Sequence, residues 1–360
     1  MNATRPLSVD KKIRAVDAFA GAGGLGLGLS RAGMELLYSF DLDPVAIATQ
    51  TLNPDYGTHR AEVRDVKHLL RGRLLDLLGI ERGALDVLAG GPPCQGFSVQ
   101  RGKSTSDDPR NELVAAYAQL IDEVYPRVFL MENVPGLAGK RGGDALAELW
   151  RVTDRLGYRI HQKIVDAQDF GVPQRRKRLV VIGVRPDVSD SFSWPDARPE
   201  SAITVRDTIE QLPQPGSTAA AKLPLHRADR PSPLNIERLK VLKPGQGRDF
   251  LPEHLLAACH KRTSSSIGHR NVYGRMAWDE VSPTITARFD SFTRGKFGHP
   301  EQLRSISLLE GALLQSFPID YLFAGNKVEI ARQIGNAVPP RMAESLGIAI
   351  IHVLKGKEPR

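Results

Sequence analysis

The chain has 360 residues, 41% hydrophobic and 25% charged, a balance that excludes a mostly disordered protein. Lys and Arg number 49 against 41 Asp and Glu, and the resulting charge of +8 favours a polyanionic partner. No apolar run approaches the roughly 18 residues that span a bilayer, and the amino-terminal stretch lacks the apolar core of a signal peptide.

In chain order, Ile13–Phe19 is a short apolar run that stops at a glycine cluster, and Leu36–Phe40 stops at Asp41. Ala84–Ala89 stops at Gly90-Gly91, and Val128–Met131 stops at Glu132-Asn133. Short runs rich in Val, Leu, Ile and Phe that end on turn or polar residues predict buried parallel strands. Leu113, Tyr117, Leu120, Ile121 and Val124 fall at helical spacing, as do Leu146, Leu149, Trp150 and Leu156. Leu179–Val184 predicts a further core strand behind the basic cluster Gln174–Arg178. Strand, helix, strand, repeated, predicts an α/β fold with a Rossmann-like doubly wound sheet. From residue 190 to 252 the sequence is rich in Pro, Ser and Asp and predicts loops and short strands. Over 222–300 Lys and Arg outnumber Asp and Glu by 14 to 7, which marks a phosphate-contacting lobe. Val338-Pro339-Pro340 then leads into a closing apolar helix, Met342–Leu354.

Gly21, Gly23 and Gly26 satisfy GxGxxG behind the first strand, where absent side chains let backbone approach a ligand. Twenty residues after Gly21, Asp41 ends the second strand, placed to accept hydrogen bonds from a ribose diol. That pattern implies a nucleoside-bearing cofactor and leaves NAD and S-adenosylmethionine both open. Cys94 lies in Gly90–Ser98, a loop stiffened by Pro92 and Pro93 at a strand's carboxyl end. The other cysteine is Cys259, and two are too few for a disulfide framework, so a reducing cytoplasm is the expected compartment. No cluster has zinc-ligand spacing, so no metal is expected. Glu132 closes so apolar a strand that partial burial of its carboxyl is expected, and Arg176 and Arg178 supply fixed positive charge. Thiol, protonatable carboxyl and arginine together suit attack on carbon 6 of a pyrimidine, which makes carbon 5 nucleophilic.

Taken in order, these motifs resemble those of the DNA (cytosine-5)-methyltransferase family, in its bacterial single-chain form, over nearly the whole chain. Pro92-Pro93-Cys94-Gln95 resembles the nucleophile motif, Glu132-Asn133-Val134 the glutamate motif, and Gln174–Arg178 the QxRxR motif. Arg304–Pro318 resembles the stretch ending in LQxFP, and Gln333–Val338 the last motif. Ala18, Ser307 and Ala337 depart from the usual Leu, Thr and Ser without removing a reacting group. The resemblance implies catalytic roles for Cys94, Glu132, Arg176 and Arg178. It implies an S-adenosylmethionine pocket built from Phe19, Gly21, Gly23, Asp41, Leu42, Asp65, Val66, Pro93, Leu113, Asn336 and Val338. Gln95, Ser98 and Arg110 would contact double-stranded DNA, and Arg270, Arg288 and Arg294 fall in segments that would read base edges.

The implied organisation is a catalytic and cofactor-binding domain over 1–185, an irregular target-recognition domain over 186–325, and a returning segment over 326–360. The implied reaction is methyl transfer to carbon 5 of a flipped-out cytosine in a short DNA sequence, by a cytoplasmic, nucleoid-associated monomer. A cognate restriction endonuclease encoded nearby, not a stable subunit, is the implied partner. Two readings of the same residues remain open: a transfer-RNA cytosine methyltransferase, and a catalytically silent DNA-binding regulator. A nicotinamide oxidoreductase would leave the Pro-Cys loop and the arginines without a purpose.

Overall fold

The computed structural model describes residues 12–57, 59–93, 111–139, 143–188, 192–197, 202–257 and 272–356. Seven strands form one sheet: β1 (Arg14–Ala18), β2 (Glu35–Asp41), β3 (Arg60–Val63), β4 (Val87–Gly90), β5 (Val128–Asn133), β6 (Arg159–Asp166) and β7 (Lys177–Val184). Their order is β3-β2-β1-β4-β5-β7-β6, so the sheet reverses direction at β1, which pairs with both β2 and β4. The expected α/β doubly wound sheet is thus the fold observed.

Alternate residues of the central strands serve opposite faces, as the period of a strand requires. On β5, Phe129 and Met131 pack with α4 (Asn111–Val124) and α5 (Gly143–Arg155), while Val128 and Leu130 face the other side. That other side is covered by α1 (Gly24–Arg31) and α10 (Pro340–Lys355). The remaining helices are α2 (Pro44–Thr51), α3 (Arg73–Leu78), α6 (Val205–Ile209), α7 (Pro233–Val241), α8 (Leu308–Leu314) and α9 (Lys327–Asn336).

Three expectations need correction. β6 is a strand that the apolar pattern did not predict: it lies at the sheet edge, with its central residues exposed, so it carries no continuous apolar run. β7 runs antiparallel to β5 and to β6, which makes the last two strands a hairpin and not another strand-helix-strand unit. The stretch expected to hold loops and short strands holds α6, α7 and 3-10 turns, and no strand among the described residues.

The irregular chain, which continues beyond that stretch to the start of α8, still needs partners for its main-chain carbonyls. Buried arginines provide several. Arg275 donates to the carbonyls of Leu239 (2.7 Å), His299 (2.6 Å) and Gln302 (2.8 Å), and Arg238 donates to that of Leu255 (2.8 Å). Ser307, which replaces the more usual Thr, keeps the hydroxyl and with it the cap of α8, in a reciprocal capping box with Glu310.

α10 crosses α1 at Gly28, and the two backbones meet there almost without intervening side chains. A Cβ on Gly28 would stand 2.4 Å from both Ala343 Cβ and the Pro340 carbonyl. Because α10 cannot retreat without opening the sheet face behind it, Gly28→Ala should lower stability by about 1–3 kcal/mol. Urea unfolding checks this: a reduced midpoint at unchanged slope is expected, and an unchanged midpoint refutes the close crossing.

Candidate active site

The carboxyl ends of β1, β4 and β5 lie at one edge of the sheet, where ligands of doubly wound folds bind. A hollow there encloses about 700 Å³ of empty space, its mouth included. From the glycine loop come Phe19, Ala20, Gly21, Ala22 and Leu25; from β2 and α2 come Asp41, Asp43 and Ala46. Gly91, Pro93 and Glu132 form the floor, and Arg332, Gln333, Asn336, Ala337 and Val338 the wall opposite.

The glycine loop is held atom by atom. Gly21 N–H donates to Asp41 Oδ2 (2.9 Å) and Gly26 N–H to Asp17 Oδ2 (2.8 Å). Gln50 Nε2 donates to the Gly21 carbonyl (2.7 Å), and Tyr321 Oη to the Ala22 carbonyl (2.7 Å). Phe19 takes the left-handed conformation (φ +57°) with its ring against Phe40 and Tyr117. Asp41 Oδ1 also accepts from Asp43 N–H (2.8 Å), and burial raises the Asp41 pKa against the pull of these N–H donors. A carboxylate has about four acceptor positions, so Asp41 retains capacity for a diol.

Glu132 is 9% exposed at the end of β5, and its Oε1 accepts from Arg178 Nε at 2.9 Å. The antiparallel register explains the meeting, because Glu132 pairs with Val180 and so faces the start of β7. A Cβ on Gly91 would stand 3.7 Å from Glu132 Oε2, so the bare face of the Gly91-Pro92-Pro93 turn is turned toward the carboxyl. Asn133 Nδ2 fixes that turn by donating to the Pro92 carbonyl (2.9 Å). Cys94, Gln95, Ser98, Arg110 and Arg270 lie outside the described residues.

Arg176 is anchored by main-chain carbonyls. It is 1% exposed and donates to the carbonyls of Ile285, Gly335 and Ala337, each at 2.9 Å. Burial, with Arg178 adding to it, pushes its pKa well below the usual value. Its fork joins β7 to the segment that forms the far wall of the hollow, while its Nε is buried without a hydrogen-bond partner. Gln174 and Gln315 extend the junction: Gln174 Nε2 donates to Gln315 Oε1 (2.7 Å), and Gln315 Nε2 to the Ile334 carbonyl (2.5 Å).

Of the expected cofactor residues, Phe19, Gly21, Asp41, Pro93, Asn336 and Val338 line the hollow. Gly23 caps α1, with Gln50 and Tyr321 filling the space beside it. Leu42 is 68% exposed; Val66 is buried in the core; Asp65 caps the turn that follows β3; Leu113 packs half-buried on α4. Arg288 and Arg294 are exposed, Arg288 beside Asp290. Asp43 and Arg332 also line the hollow and were not among the expected residues; the signal for Arg332 is helical spacing, since it lies four residues before Asn336 on one face of α9.

The C-5 cytosine-specific DNA methylase model matches residues 13–352. The chain is 35% identical over 350 residues to the type II methylase M.HgiDII of Herpetosiphon aurantiacus, covering 96% of this chain and 97% of that one. It is 35% identical over 339 residues to the type II methyltransferase M1.HphI of Haemophilus parahaemolyticus, covering 93% and 86%. Among solved structures, a putative DNA modification methyltransferase encoded within an E. coli prophage superposes with a TM-score of 0.73 at 26% identity, covering 96% of this chain and all of that one.

Asp17, fully buried behind the glycine loop, has its pKa raised by burial from 3.8 to about 8, and its Oδ1 has no hydrogen-bond partner. A folded-state value above the unfolded one means stability that is complete below about pH 4 and lost as pH rises to about 8. Asp17→Asn removes this titration, so the variant should gain on the wild type across that window. Urea midpoints at pH 5 and pH 8, taken without cofactor, measure the gain, and parallel curves would refute it.

Proposed function

The chain belongs to the C-5 cytosine-specific DNA methylase family and is a DNA cytosine-5 methyltransferase of the type II restriction-modification kind, and from that premise we propose a covalent mechanism centred on Cys94. The observation that carries it is the Arg178–Glu132 ion pair beside Pro93 at the floor of the hollow. Cys94 is the next residue after Pro93, and consecutive Cα atoms are about 3.8 Å apart. Its place in the chain directly after Pro93 supports Cys94 as the thiol that attacks a ring held by Glu132.

In this reading the target is cytosine in a short specific sequence of double-stranded DNA. The base is flipped out, because carbon 6 in the stack is beyond reach of a side chain. The thiolate of Cys94 forms a bond to carbon 6, and electron density moves to carbon 5 while Glu132 holds a proton at ring nitrogen 3. Arg178 keeps the Glu132 carboxyl oriented and offsets charge developing on the base. Once carbon 5 carries the methyl group, loss of its proton to solvent, expulsion of the thiolate and return of the nitrogen-3 proton to Glu132 restore the ring. Arg176 acts as a positioning residue.

S-adenosylmethionine is the cofactor that the hollow fits. Its cationic sulfonium and ammonium groups would meet a lining that contains Asp41, Asp43 and Glu132, with Arg332 already paired to Asp43 (2.7 Å). Its ribose diol would donate to Asp41, and its adenine would rest among the apolar residues Phe19, Ala22, Leu25, Ala46 and Val338. When bound, it supplies the methyl group that carbon 5 takes up.

Residues 1–185 form the catalytic domain in this proposal, 186–325 the target-recognition domain, and 326–360 the segment that returns to complete the cofactor site. Gln95, Ser98, Arg110, Arg270, Arg288 and Arg294 are the proposed DNA contacts. The enzyme acts as a cytoplasmic, nucleoid-associated monomer and protects sites cut by a cognate endonuclease encoded nearby. No helix among the described residues is long and apolar enough to cross a membrane.

Bisulfite sequencing of plasmid DNA from methylation-deficient bacteria expressing the chain should show protected cytosines in one short recurring context. Complete conversion with soluble protein present would exclude this DNA activity and direct the search to RNA. Cys94→Ala should abolish methylation while cofactor affinity stays within about threefold, because only the bond-forming atom is removed. Calorimetric titration with S-adenosylmethionine checks the second half, and loss of binding in a folded variant would count against the assignment.

A further inference from the structure

Behind the glycine loop lies a chain of hydrogen bonds that the methyl-transfer chemistry does not use. Gln50, on α2, is buried, and its Nε2 donates to the Gly21 carbonyl at 2.7 Å. Its Oε1 accepts from the hydroxyl of Ser39 on β2 at 2.7 Å. His59, just before β3, places Nε2 2.9 Å from Ser39 Oγ and 3.2 Å from Gln50 Oε1. The Ser39 proton is committed to Gln50, so His59 Nε2 must carry the proton that faces both oxygens. His59 Nδ1 is buried without a hydrogen-bond partner, which fits that tautomer, and burial lowers the ring's pKa to about 4 so that it stays neutral.

We propose that His59 is a positioning residue for cofactor binding, acting through Ser39 and Gln50 to hold the Gly21 peptide at the mouth of the hollow. The inference rests on the reading of that hollow as the S-adenosylmethionine site. An amide side chain has two nearly isosteric orientations, exchanged by a half-turn of its end group. With two donors trained on Oε1, the orientation that points Nε2 at Gly21 is favoured. The opposite orientation would set Oε1 against the Gly21 carbonyl and leave both donors facing an NH₂ group. Gly21 is the loop residue for which this matters, since its N–H already donates to Asp41 and its backbone is left-handed (φ +53°). Fixing its carbonyl as well holds the peptide planes on both sides of Gly21. Hydrogen bonds in such a chain polarise one another, so a cut at the far end is felt at the near one.

The test is isothermal titration of S-adenosylmethionine into the wild type, His59→Ala, Ser39→Ala and His59→Gln, together with steady-state methylation and thermal melts. His59→Ala and Ser39→Ala should weaken cofactor binding about five- to tenfold, the size of one net hydrogen bond. Turnover at saturating cofactor should stay within about twofold, and His59→Gln, whose amide can replace Nε2, should recover most of the affinity. Ser39→Ala removes one oxygen and adds no volume, so it carries the test if His59→Ala does not fold. Unchanged affinity in folded variants would overturn the inference and leave the hollow's assignment intact. No binding by the wild type would overturn both.

Discussion

β7 lies antiparallel to β5, and the 2.9 Å bond from Arg178 to Glu132 exists because of that reversal. Had the strand run parallel to its neighbours, residues at its beginning would stand at the opposite edge of the sheet from the end of β5. A hairpin through β6 turns the chain round before β7 enters, and the arginine arrives where the carboxylate is. Both side chains are nearly buried, at 13% and 11% exposure. A pair so desolvated is a costly device for stability, and its retention at the edge where β1, β4 and β5 also end fits a role in chemistry.

Two residues earlier, Arg176 holds together parts far apart in sequence. Its carbonyl partners belong to the irregular stretch at Ile285 and to α9 and its end at Gly335 and Ala337. Gln315 adds bonds to the same end of α9. A second polar seam joins α9 and the preceding chain to α2. Thr49 Oγ1 donates to Gln333 Oε1 (2.6 Å), and Asn53 exchanges hydrogen bonds with the main chain of Leu322 (2.8 and 2.9 Å). The far wall of the hollow is therefore built by residues 332–338 only once both seams have closed. On the proposed reading, cofactor affinity is a property of that assembly and not of the glycine loop alone, and a bound ligand would in turn stabilise it by mass action.

The central strands were legible because burial on both faces leaves nothing but an apolar run. Edge strands β3 and β6 were not, since half of each faces solvent and the period-2 signal is mixed with charge. The direction of β7 was also beyond reach, for an apolar run is the same in either sense. At the hollow, Gly21, Asp41 and Glu132 could be read from their places after strands, whereas Phe19 came only with the family resemblance. Arg176 could not, because a basic cluster gives no sign of which cation is buried. Leu42 and Val66 show a related limit: position after a strand does not say whether a side chain faces outward or packs into the core.

The irregular stretch shows how charge count and charge placement differ. Fourteen cations between 222 and 300 suggested a surface for phosphate, yet Arg238 and Arg275 are buried donors to main-chain carbonyls. Without strands to pair these carbonyls, a guanidinium fork is the side chain that can satisfy two or three at once, and Arg is fully ionised at any working pH. Part of the basic excess is thus the cost of folding a lobe from loops. What remains outside, Arg288 and Arg294 among it, stands on backbone that no ladder constrains. Side chains there can change without disturbing a sheet, whereas the residues at the ends of β1, β4 and β5 cannot. On the proposed reading, a fixed chemistry and a variable specificity would fall on different kinds of backbone.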